Sequence, residues 1–174
     1  MLTIISGTNR KDSNTLKIAQ EYQRLLAEMH QEAQLFSLQN LPRQLLTDMM
    51  YEEDCPAFDQ LQETYFFNAS KFIFITPEYN GSIPGVLKIL LDASNMKKSF
   101  FYKKALLTGI ATGRAGNLRG LDHLAAILNN MRMHVHWNKL PISKVDLELD
   151  NNGKFIHKET IRVIKKQIAD FLDF

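Results

Sequence analysis

The chain has 174 residues, 45% of them hydrophobic and 23% charged, with a formal net charge of +2. That length suffices for one full hydrophobic core and is read as one domain over residues 1–174. The near balance of charge excludes the broad basic field of a nucleic-acid binder and the acidic surface of a protein that docks on basic partners, which leaves a small molecule as the expected ligand. The lone cysteine, Cys55, excludes an intrachain disulfide. Neither a charged-then-apolar leader nor a run of about 18 apolar residues is present, so a cytoplasmic protein is expected.

In chain order, Leu2-Thr3-Ile4-Ile5 reads as a strand, and LKIAQEYQRLLAEM follows with Leu16, Ala19, Tyr22, Leu26 and Met29 at helical spacing. The loop between them, SGTNRKDSNT, crowds hydroxyl residues, asparagines, Arg10 and Lys11 together, far more donor capacity than a turn requires. A phosphate monoester needs several short donors and a cation, and a helix amino terminus adds oriented N–H groups. Thr8, Ser13, Asn14 and Thr15 supply such donors and Arg10 supplies the charge. An N-cap alone would use only Ser13 or Asn14 and gives no reason for Arg10 or Thr8. The spacing is neither that of a P-loop nor Gly-x-Gly-x-x-Gly, so triphosphates and dinucleotides are not the expected ligands.

Further strands are expected at Ala33 to Leu38, Lys71 to Thr76, Ala105 to Thr112 and Met133 to Leu140, with helical patterns between them. Phe72-Ile73-Phe74-Ile75 and Leu106 through Ala111 are continuously apolar or small, as in strands covered on both faces. The terminal segment IRVIKKQIADFLDF carries Ile161, Ile164, Ile168 and Phe171 on one helical face. The pattern predicts an α/β fold with an open, doubly wound parallel sheet. Its ligand site would lie beyond the carboxyl ends of the strands, where strand order reverses. The loops at that end are Ser6 to Thr15, Pro77 to Pro84 and Gly113 to Gly120. In the second of these, Pro77 and Pro84 set rigid ends and Asn80-Gly81 tolerates positive φ. Pro84 is expected in the first turn of the helix VLKILLDAS.

Three segments in order, GTNRKDSNT, TPEYNGSIPGVLKILLD and ATGRAGNLRG running into LDHLAAILNNM, resemble the NADPH-dependent FMN reductase family. Its members are flavodoxin-like and include quinone, chromate and azo-dye reductases. With the Asn151 to Gly153 turn before the last helix, the resemblance spans essentially the whole chain. It implies a three-layer α/β/α sandwich with a five-stranded parallel sheet in the order 2-1-3-4-5. It implies FMN as cofactor and NADPH or NADH as reductant. The acceptor would be a quinone, free flavin, azo compound or metal oxyanion. Thr8, Arg10, Ser13, Asn14 and Thr15 would hold the FMN phosphate. Pro77, Glu78, Tyr79, Asn80 and Gly81 would border the isoalloxazine ring, and Thr112, Gly113 and Gly116 would flank its other side. Arg114 and Asn117 stand where such proteins often carry small residues. Hydride arrives at and leaves from the flavin itself, so no catalytic side chain is required and backbone N–H groups supply the electrostatics. A flavodoxin-like electron carrier without turnover is the alternative; such carriers tend to be acidic, unlike this chain.

The remaining features read as structure. Glu78 is expected to bond local backbone N–H groups instead of acting as a general acid. His134 and His136 lack a third ligand at metal-binding spacing and are placed near a sheet edge or subunit contact. Asp146, Glu148 and Asp150 form a polar strand end and turn, without the distal glutamate of a calcium loop. Cys55 follows an acidic pair and precedes Pro56, an environment unsuited to redox work. Lys97-Lys98 and Lys103-Lys104 are solvated loop charges or, alternatively, attract a nicotinamide phosphate. Two helices are too apolar for a monomer. Ile83, Val86, Leu87, Ile89, Leu90 and Leu91 cover about 200° of arc, whereas packing on one sheet needs about 100°. Leu118, Leu121, Leu124, Ala125, Ile127, Leu128 and Met131 cover about 180° by the same count. A homodimer or dimer of dimers, joined through a four-helix contact, is expected.

Overall fold

The computed structural model describes residues 1–51 and 54–174. Its strands are β1 (Leu2–Ser6), β2 (Ala33–Ser37), β3 (Lys71–Pro77), β4 (Lys104–Ile110), β5 (His134–Val135) and β6 (Leu140–Ile142). The helices are α1 (Asn14–Glu28), α2 (Pro56–Gln62), α3 (Gly85–Ala93), α4 (Met96–Ser99), α5 (Leu118–Asn130) and α6 (Lys158–Asp173). Every strand pair is parallel and the order is β2-β1-β3-β4-β5, with β6 also on β4. The order reverses between β1 and β3, so a crevice opens beyond their carboxyl ends.

The continuous apolar runs are explained by the two cores. On β3, Phe72 and Phe74 face a core built with Phe58 of α2, Leu87 and Leu90 of α3 and Leu121 and Leu124 of α5. Ile73 and Ile75 face the opposite core, with Ile18, Tyr22 and Leu25 of α1 and Ile164, Ile168 and Phe171 of α6. Successive side chains of a strand point to opposite faces, so a strand buried on both must be apolar throughout. The three layers follow directly from that requirement.

The last expected strand departs from expectation. It is split into β5 and β6, which pair with β4 through Lys104↔His134 and Thr108↔Leu140. A step of four residues along β4 is thus matched by a step of six along the edge (108 − 104 against 140 − 134), so two extra residues lie between β5 and β6. Buried His136 packs there against the rings of Phe171 and Phe174, while Trp137 is turned out to solvent. Burial also lowers the pKa of the His136 imidazole.

The solvated reading of Lys103 and Lys104 is corrected by the structure. Lys103 Nζ donates to the Phe66 and Phe67 carbonyls at 2.7 and 2.9 Å, and burial pulls its ammonium down to about 8. Lys104 Nζ donates to the Phe174 carbonyl. Both lie at the start of β4, the end of the sheet away from the crevice, where they satisfy carbonyls and cannot reach a nicotinamide placed at the other end. Pro84 likewise sits one residue outside α3, as its N-cap.

Candidate functional site

The first loop is shaped by its attachment at both ends. Gly7 N–H donates to the Ile75 carbonyl at 2.8 Å, and a Cβ on Gly7 would stand 2.9 Å from that same oxygen. Only glycine lets the chain leave β1 so close to β3. At the other end Ser13 caps α1, its Oγ accepting from Leu16 N–H at 3.2 Å. Between them Thr8 is buried, and its Oγ1 accepts from Arg10 N–H at 3.3 Å. The N–H groups of Asn14 and Thr15 have no acceptor among the described residues, as expected for the first turn of a helix.

The loop after β3 is a tight hairpin. Tyr79 and Ser82 exchange backbone hydrogen bonds of 2.9 and 3.1 Å around Asn80 and Gly81, whose φ values are 52° and 77°. Two successive positive φ values demand the Asn-Gly pair. Ser82 Oγ lies 2.8 Å from His123 Nδ1 of α5, which fastens the hairpin to that helix. Glu78 N–H donates to the Ile110 carbonyl at 3.0 Å, so the N–H groups of Glu78 and Tyr79 are already engaged. The donors left on this side are those of Asn80 and Gly81. The Glu78 carboxylate makes no hydrogen bond among the described residues, contrary to the local bonding expected of it.

The loop after β4 turns over the ends of β4 and β6. Lys144 N–H donates to the Gly113 carbonyl and Val145 N–H to the Ala111 carbonyl, each at 3.0 Å. Gly116 has φ 58°, and a Cβ on it would meet Pro141 Cβ at 2.7 Å. It is therefore a packing glycine beneath the loop.

These three loops enclose one cleft of about 810 Å³, lined among others by Thr8, Arg10, Ser13, Asn14, Thr15, Pro77, Glu78, Tyr79, Thr112 and Gly113. Asn80, Gly81 and Gly116 stand outside that lining. Lys11, Asp12, Ile110, Ala111, Val145 and Asp146 belong to it as well, though the sequence marked none of them as a site residue. Asp146 carries the most chemical weight of these, because its Oδ1 accepts from Asn14 Nδ2 at 2.8 Å and ties the α1 terminus to the segment after β6. Its neighbours Asp150 and Asn152 offered only a turn signal, and Asp150 Oδ1 does accept from Asn152 N–H and Lys154 N–H in such a turn. Tyr79 reaches across the cleft, with its hydroxyl 3.0 Å from Thr8 Oγ1.

Chemically, one end of the cleft gathers the hydroxyls of Thr8, Ser13 and Thr15, unengaged N–H groups of a helix terminus, and Arg10. The Arg10 guanidinium pairs with no carboxylate among the described residues. That donor set fits a phosphate monoester. The other end lies between Pro77, Glu78 and Tyr79 on one loop and Ala111, Thr112 and Gly113 on the other, an arrangement that suits a flat ring.

The model of the NADPH-dependent FMN reductase family matches residues 1–145. The chain is 29% identical over 128 residues to the NAD(P)H-dependent FMN reductase PA1204 of Pseudomonas aeruginosa, covering 68% of this chain and 69% of that protein. It is 23% identical over 176 residues to the 2-hydroxy-1,4-benzoquinone reductase of a Burkholderia species, covering 99% of this chain and 92% of that protein. Among solved structures, FerB, a flavoenzyme NAD(P)H:(acceptor) oxidoreductase from Paracoccus denitrificans, superposes with a TM-score of 0.83 at 22% identity, covering 99% of this chain and 94% of that one.

Proposed function

The chain belongs to the NADPH-dependent FMN reductase family, and from that premise we propose that its three loops hold FMN, with the phosphate on the first and the ring between the other two. The protein is an FMN-dependent NAD(P)H oxidoreductase acting on small acceptors. Bound in the cleft, FMN supplies the hydride chemistry between NADPH or NADH and an acceptor such as a quinone. The observation that carries the assignment is the phosphate-shaped end of the cleft: Thr8, Ser13, Asn14 and Thr15 donate and Arg10 supplies charge. Pro77, Glu78, Tyr79, Asn80 and Gly81 border the ring, while Thr112 and Gly113, supported by Gly116, flank it from the other loop.

The residues of this chain position and polarise. Free N–H groups at Asn80 and Gly81 favour negative charge on the ring edge that meets them. The Asn14–Asp146 hydrogen bond holds the α1 terminus in place, and leaves one Asn14 N–H for the phosphate. Nothing in the phosphate end provides for an adenosine. Protein incubated with FMN or with FAD and then desalted should retain FMN; retention of FAD alone would refute the assignment.

The assembly we propose is a homodimer or a dimer of dimers, built on one FMN-binding domain per chain. Leu87, Leu90 and Leu91 of α3 and Leu121, Leu124 and Leu128 of α5 are spent on the chain's own core. Val86, Ile89, Ala125 and Ile127 are only partly covered by it, so the surplus faces are narrower than the arcs of apolar residues suggest. Between the two helices runs a groove of about 560 Å³ lined by Leu91, Met96, Ile127 and Met131 with a polar rim of Lys88, Asp92 and Asn130. A two-fold mate would cover it. Light scattering at micromolar concentration should report twice or four times the 20.1 kDa chain mass; the single-chain mass alone would remove the dimer. We propose a cytoplasmic location, where an enzyme that draws on NAD(P)H finds its reductant; no helix among the described residues is long and apolar enough to cross a membrane.

A further inference from the structure

We propose that Asn117 is a positioning residue that sets the separation of the two loops flanking the flavin ring, a role that rests on the flavin assignment of the cleft. Asn117 ends the loop after β4 and precedes α5 from a left-handed conformation, φ 69°. Glycine or asparagine meets that backbone requirement, and asparagine adds a side chain. Here the residue is 1% exposed, and its Nδ2 donates to the Thr76 carbonyl at 3.1 Å. Thr76 immediately precedes Pro77, where the opposite wall of the cleft begins. This buried side-chain hydrogen bond joins the two walls at their base, beside the Glu78–Ile110 backbone bond.

The amide oxygen argues for the same role by elimination. Oδ1 is buried with no partner among the described residues, and the side chain makes no cap to α5. An orphaned buried oxygen works against folding, and glycine would have avoided it. The asparagine is therefore explained by its donor side and by what that donor ties together.

Gly120 is the other half of the device. A Cβ on Gly120 would stand 2.1 Å from Asn117 Oδ1 and 2.8 Å from its Cγ. Glycine inside a helix is unfavourable unless the missing side chain is needed, and here the amide of Asn117 fills the vacated space. Room for a methyl at 120 can be made only by withdrawing the amide from Thr76. Gly109 works alike from below, since its Cβ would meet the Gly116 carbonyl at 2.6 Å and Asn117 Cβ at 3.0 Å.

Two variants separate this role from a merely structural one. Asn117→Gly keeps the left-handed backbone and removes the amide; Gly120→Ala keeps the amide and denies it its place. Titrated with FMN and with riboflavin, each variant should weaken both ligands by the same factor, about tenfold, because the setting of the ring is disturbed and the phosphate is not. The visible circular dichroism of the bound flavin should change in both. The double variant should bind no worse than Asn117→Gly alone, because the removed amide leaves room for the methyl. The inference is overturned if the single variants melt at lower temperature yet bind both flavins like the parent with unchanged dichroism, or if the two losses simply add in the double variant. A parent that binds neither flavin would overturn the assignment of the cleft, and this role with it.

Discussion

Arg10→Ala should weaken FMN by about tenfold to a hundredfold and leave riboflavin binding unchanged. The range follows from the roughly 1.5 to 3 kcal/mol that a hydrogen bond to a charged group contributes. Arg10 lines the end of the cleft where Thr8, Ser13 and Thr15 gather, and its guanidinium pairs with no carboxylate among the described residues. Its backbone is placed by Thr8, whose Oγ1 accepts its N–H, and by Gln39, whose Nε2 donates to its carbonyl at 3.1 Å. The side chain is exposed, so its removal leaves no cavity and should not move the melting temperature. Isothermal titration with the two flavins reads the difference directly. An equal loss for both would mean that Arg10 does not meet the phosphate and that the first loop is misassigned.

Phe72→Ala should destabilise the fold by about 3 to 5 kcal/mol, the usual cost of deleting a buried aromatic side chain. Phe72 is fully buried on the central strand β3, with ring centroids of Phe66, Phe74 and Phe100 at 6.1, 6.0 and 5.4 Å. The emptied space cannot refill, since these neighbours sit on the π-helical turn Glu63–Phe67 after α2, the segment after α4 and β3 itself. Against a total stability of about 5 to 15 kcal/mol the loss is large, and it should appear as a lower urea midpoint with an unchanged slope. A shift worth under about 1 kcal/mol would mean that the cluster repacks around the gap.

The parts of the molecule governed by local rules were legible in the sequence. Burial on both faces forces continuous apolar strands, and β1, β3 and β4 stand where those runs lie. The Asn80-Gly81 pair was legible as a place for positive φ, which both residues adopt, because few other pairs accept two such values. Parts fixed by distant partners were not legible. Asp146 lies 132 residues from Asn14 along the chain, and no local pattern marks it as a cleft residue. The basic pair at Lys103 and Lys104 looks like any exposed pair until Phe66, Phe67 and Phe174 bring their carbonyls to it. The split of the last strand is likewise a tertiary outcome, decided by His136 entering a cage of rings contributed by α6 and the residue after it. The local reading of Glu78 also failed, because Ile110 and Ser82 accept the Glu78 and Tyr79 N–H groups and the carboxylate makes no hydrogen bond among the described residues.

The central claim is that this cleft holds FMN as the working group of an NAD(P)H oxidoreductase. Anaerobic mixing of FMN-loaded protein with NADPH or NADH, followed by its visible absorbance, tests it most directly. The account predicts that the flavin absorbance is lost rapidly within the complex and recovers when a quinone is added. Flavin that stays oxidised in the presence of both nicotinamides would contradict it and leave a flavin-binding protein without turnover of its own.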